Sequence, residues 1–78
     1  MQIEMVHPVE TIVDELASGQ HTQASVAVTY AFIIQQLGSS APWAKINAAI
    51  TKRWNGKTAL KRVKKMAWSH VLVRERPS

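Results

Sequence analysis

Five cations and one tryptophan crowd into the run KTALKRVKKMAW: Lys57, Lys61, Arg62, Lys64, Lys65 and Trp68. Lysine and arginine at this density suit one kind of chemistry, the neutralisation of an anionic partner such as a phosphate backbone. A tryptophan among them adds either an aromatic face for stacking on a base or an anchor for a protein interface. Lys45, Lys52 and Arg53 lie just upstream, in WAKINAAITKRW. Between Pro42 and His70 fall eight of the chain's ten Lys and Arg and all three of its Trp. Any contact with a charged partner is expected here.

Other chemistries find little support. His7, His21 and His70 are scattered and lack the spacing of metal ligands. There is no cysteine, so neither a thiolate metal site nor a disulfide is possible. Serine, histidine and aspartate all occur, but nothing in their spacing brings them together as a nucleophile and base. The three glycines are isolated, so there is no glycine-rich phosphate loop. Glu10 and Asp14 are four apart and share a helix face, the usual pattern of a solvated surface. The chain is expected to be no enzyme and to need no cofactor and no metal.

The net charge of +5 conceals a stronger asymmetry. Residues 1–41 contain no Lys or Arg and carry −4, from Glu4, Glu10, Asp14 and Glu15. Residues 42–78 carry +9, from ten Lys and Arg less Glu75. Segregation of this kind suggests an electrostatic task for the second half rather than a merely solvated helix face.

Which elements would position these residues? Seventy-eight residues allow a single domain, 1–78, with a thin stability margin. Residues 1–7 and 73–78 are expected to be loosely ordered. Pro8 suits the first position of a helix over 8–18, with Val9, Ile12, Val13 and Leu16 as one apolar stripe and Gly19 beyond its end. A second helix over 22–37, capped by Thr22, is apolar most of the way round, as the buried centre of a small bundle would be. Gly38 ends it, and Ser39 and Ser40 form a loop. A third helix begins at Pro42, with Trp43, Ile46, Ile50 and Trp54 pointing inward and Lys45 and Lys52 on the opposite side. Arg53 borders the apolar stripe and would snorkel outward. Asn55-Gly56 reverses the chain.

The fourth helix, with Thr58 as its cap, buries Leu60, Val63, Ala67 and Val71, flanked by Ala59 and Met66. Its five cations occupy the other side, and Trp68 falls among them rather than with the apolar stripe. Either the Trp68 ring folds back against another helix or the tail, or it is presented to a partner. The expected fold class is therefore all-α: one small domain of about four short helices, with a central apolar helix and a basic helical hairpin over 42–70. No stretch has the ~20 apolar residues of a membrane span, and no secretory signal is visible, so a cytoplasmic location without membrane contact is expected.

Helices three and four match a helix–turn–helix in outline, since a short turn with glycine joins them. The interior pattern does not follow. With Gly56 as the turn glycine, Arg62 and Lys65 would occupy packing positions; with Gly38, Asn47 would. Contact with phosphates needs no such pattern.

The segments QASVAVTYAFIIQQLG, W-AKINAAI-KRW and L-KRVKKMAW together resemble small early-region proteins of transposable (Mu-like) bacteriophages, over about residues 20–68. Such proteins commonly bind DNA or disable a host protein. The resemblance thus implies those two classes, in the host bacterial cytoplasm, and assigns no residue a role. The expectation is a small nucleic-acid-binding accessory or regulatory protein, with Lys45, Lys52, Arg53, Lys57, Lys61, Arg62, Lys64 and Lys65 on phosphates and Trp68 stacking. The alternatives are inhibition of a host protein through the same basic face, and a homodimerisation module built on helix two and the tryptophan stripe.

Overall fold

The computed structural model describes the backbone of residues 7–75 and the side chains of residues 7–72. Four helices follow one another: α1 (Pro8–Ser18), α2 (Gln23–Leu37), α3 (Trp43–Trp54) and α4 (Lys57–Glu75). A single 3₁₀ turn, Gly38–Ser40, links α2 towards α3. No strand occurs among the described residues.

Most of the helix ends have a local cause. Pro8 opens α1, and the His7 Nδ1 accepts from the Val9 N–H at 3.3 Å. His7, assigned above to a loosely ordered end, is thus the cap of α1. Thr22 Oγ1 accepts from the Ser25 N–H at 3.1 Å and caps α2 as its position predicts. Gly38 closes α2 with φ 53° and ψ −129°, a backbone conformation that side chains with a Cβ rarely adopt. Its N–H reaches back to the carbonyls of Ile33 and Ile34. Asn55 ends α3 in the left-handed region, with the Gly56 N–H bonded to the Thr51 carbonyl at 3.1 Å. Asparagine tolerates that conformation better than most residues.

Two boundaries differ from expectation. Pro42 precedes α3 rather than opening it, and α4 starts at Lys57, which puts Thr58 inside the first turn instead of at the cap. At its other end α4 continues to Glu75, so it is the longest helix, and residues 73–75 join it. The loose order expected of 1–6 and 76–78 lies outside the described residues.

The core is built from one side of every helix. Ile12 and Leu16 come from α1, and Val26, Ala27, Tyr30, Ala31 and Ile33 from α2. Ile46 and Ile50 come from α3, and Ala59, Val63, Ala67 and Val71 from α4. Ile12, Leu16, Ile46, Ile50, Val63, Ala67 and Val71 of the predicted stripes are among them, whereas Val9, Val13, Trp43, Trp54 and Leu60 are partly buried and pack against this core. α2 is the central helix and packs most extensively against α4, and also against α1; α3 packs against α1 and α4. α3 and α4 still pack together, but α4's main partner is α2. α3 reaches α2 through Trp43 and Asn47 against Tyr30, and elsewhere on α2 Val28 and Phe32 are exposed one turn apart.

Candidate functional site

α4 presents its cations outward because its apolar residues recur with helical period on the opposite side. Lys57, Lys61, Arg62, Lys64 and Lys65 are all exposed. None of them forms an ion pair among the described residues, where one contact, His21 with Glu15 at 3.8 Å, meets that criterion. The arrangement works against the helix itself. Lys57–Lys61 and Lys61–Lys65 are like-charged pairs four apart, each costing ~0.2–0.5 kcal/mol. Lys57 and Lys61 also sit in or beside the first turn, where the helix dipole disfavours a cation. No acid occupies that turn to offset them. A polyanion laid along α4 would remove these penalties.

Trp68 lies one turn beyond Lys64 and is 49% exposed, so its ring does not fold back into the core. It forms one wall of an open groove of about 400 Å³. Ile34 and Tyr30 of α2, Trp43 at the start of α3, and the Gly38-Ser39 backbone complete the lining, and Lys64 stands in it. The chain builds this groove locally. The short link from Gly38 returns Trp43 towards the end of α2, where its indole N–H donates to the Gly38 carbonyl at 2.8 Å. The Tyr30 ring stacks against Trp43 at 4.8 Å between centroids, tilted by 38°. Its hydroxyl donates to Asn47 Oδ1 at 2.9 Å. Burial pushes the Tyr30 phenol above its ordinary value, against the opposing pull of the Asn47 hydrogen bond. Trp43 is therefore fixed in orientation, whereas Trp68 is open to solvent. Trp43 and Trp54, expected in the core, pack against it but remain partly exposed.

The remaining cations divide. Lys45 and Lys52 are exposed on α3, seven residues apart and hence on one face. Lys52 lines a different groove, between α1 and α3, with Val13, Leu16 and Ala17. These two lysines do not join the Trp68 groove. Arg53 does not snorkel into solvent. Its Nη2 donates to the Gly19 carbonyl at 2.8 Å, and its guanidinium lies 5.1 Å from the Trp54 ring centroid. It ties the end of α1 to the end of α3, and with Lys52 it lines the α1–α3 groove rather than the Trp68 groove. Arg62 and Lys65 are exposed rather than packed, as the mismatch with a helix–turn–helix interior implies.

Comparison with known protein families, curated proteins and solved structures gives no match to this chain. The site must therefore be read from its own chemistry.

One cluster escaped the reading of spacing. Ser18 Oγ and His21 Nδ1 lie 3.1 Å apart, and His21 Nε2 is 3.8 Å from Glu15 Oε2. The trio resembles a nucleophile, base and orienting acid. The hydroxyl is already committed, however: it donates to the Glu15 carbonyl at 2.9 Å and accepts from the Gln20 N–H at 3.3 Å. These residues finish the α1 C-terminus and hold the turn to α2. Among the described residues no group of three potential ligands could hold a metal ion. No described helix is long and apolar enough to cross a membrane.

Proposed function

We propose that this is a small nucleic-acid-binding protein, an accessory or regulatory factor rather than an enzyme. It engages the phosphate backbone through α4. The observation that carries the reading is a helix with five exposed cations, none neutralised by an acid among the described residues, and an exposed Trp68 in their midst. Lys57, Lys61, Arg62, Lys64 and Lys65 contact phosphates, and Trp68 contacts a base. Lys45 and Lys52 add long-range attraction from α3. The resemblance to early-region proteins of transposable phages fits such a role, in the cytoplasm of a bacterial host.

A second reading keeps the same surface and changes the partner to an acidic patch on a host protein. Exposed Leu72 favours it, one turn beyond Trp68, since an apolar pair next to a row of cations also suits a protein interface. Binding of labelled DNA and RNA across a salt series separates the two. Phosphate contacts give an affinity that falls steeply with salt. A protein target instead gives a partner captured from host lysate that survives nuclease treatment, with no nucleic-acid binding at low salt.

A further inference from the structure

We propose that the nucleic acid bound is single-stranded, with one base seated in the groove against Trp68. This rests on the nucleic-acid reading and narrows it. A duplex offers phosphates and base edges, and its base faces are covered by stacking. Reaching a face inside a duplex requires extruding the base. A single strand presents its base faces freely, and aromatic side chains beside cations are the usual means of holding it.

The groove has that construction. It is open, about 400 Å³ in volume, and its walls are Trp68, Trp43, Tyr30 and Ile34. The lining contains no carboxylate and one cation, Lys64. Lys57, Lys61 and Lys64 continue away from Trp68 in steps of about one helical turn, ~5 Å along the axis. Successive phosphates of an extended strand can therefore follow α4 while the terminal base enters the groove. Polar groups wait at the rim. The Trp68 indole N–H and the Ser39 hydroxyl make no hydrogen bond among the described residues, while the Trp43 N–H is spent on Gly38. They can meet the edge of a base whose face rests on the Trp68 ring.

The test compares fluorescein-labelled oligo(dT) and oligo(rU) with a DNA duplex of equal length, at one salt concentration. The single strands are expected to bind at least tenfold more tightly than the duplex. Trp68→Ala should weaken single-strand binding by about 5- to 150-fold, the effect of losing one stacked base, and should cost single-strand binding more than duplex binding, with the salt slope unchanged because no phosphate contact is lost. Trp68→Phe should recover most of that loss. If Trp68→Ala melts early, acrylamide quenching of the parent decides instead: oligo(dT) should protect a tryptophan that the duplex leaves quenchable. Equal binding of duplex and single strand, with Trp68→Ala or the quenching indifferent to which is added, overturns the single-strand assignment and leaves phosphate binding standing. No binding of any of the three at low salt overturns both.

Discussion

Arg53 donates to the Gly19 carbonyl and lies over Trp54, whereas Lys61 projects from α4 with no partner among the described residues. The two should respond in opposite ways to truncation. Arg53→Ala should lower stability by about 1–2 kcal/mol, from a lost charge-assisted hydrogen bond and cation–π contact, and leave the salt slope of binding unchanged. Lys61→Ala should leave melting at physiological ionic strength unaltered, where the repulsion between neighbouring lysines is largely screened, and lower that slope by about one unit on duplex DNA. Thermal melts paired with a salt titration check both. Tyr30 supplies a pH test. Its phenol is raised by burial, so the folded form holds its proton above pH ~10, where the unfolded form releases it. Tyr30's contribution is thus complete below pH ~10 and is lost as pH rises through the folded value. Tyr30→Phe should cost about 1 kcal/mol at pH 8 through the lost bond to Asn47. Chemical denaturation of parent and variant should show that gap closing in strong alkali.

At the scale of elements, four helices were legible because α1, α3 and α4 carry an apolar stripe of period 3.6, α2 is apolar most of the way round, and punctuation marks the ends: Pro8, Thr22, Gly38 and Asn55-Gly56. Ile46 and Ile50 were legible for the same reason and are completely buried. Ile46→Ala and Ile50→Ala should each destabilise by ~2–5 kcal/mol, a large share of a small domain's stability, as read by denaturant melts. The pairing of helices was not legible. Periodicity says which face is apolar but not which neighbour covers it, so α4 against α2 and the exposed Val28–Phe32 pair appear only in three dimensions. The same limit hid the Arg53–Gly19 contact, which joins residues 34 apart in the chain. It also hid the Trp68 groove, whose walls come from three helices and a turn. The need of Tyr30 and Trp43 for hydrogen-bond partners was the one available hint. The crowding of α4's cations, by contrast, was visible at once and has its own consequence. Since the like-charged pairs repel through solvent, sodium chloride should raise the melting temperature of the free protein between low and physiological ionic strength. Lys61→Ala should blunt that rise.

For the molecule as a whole, the decisive feature is the separation of charge. Residues 1–41 are net acidic and residues 42–78 strongly basic. In the fold, the exposed acids Glu10 and Asp14 sit on α1, and α4 has α2 and α3 as its neighbours. The acids are therefore not used to neutralise α4, which leaves its cations free for the polyanion of the proposed reading. Simultaneous replacement of Lys61, Lys64 and Lys65 by alanine tests this against a merely solvated face. All three are exposed, so the fold should persist, and melting at low salt should occur at the same or a higher temperature as repulsion is relieved. Each lost phosphate contact releases one counterion fewer, so the slope of log affinity against log salt should become shallower by roughly three on duplex DNA. Lys45→Ala with Lys52→Ala removes two charges from α3, whose lysines do not line the Trp68 groove. That pair should weaken binding less and change the slope by under one unit. If the two variants lose the same affinity and slope, the protein attracts nucleic acid by net charge alone and α4 has no special part in it. A parent with no affinity at low salt ends the nucleic-acid reading and leaves the acidic protein partner.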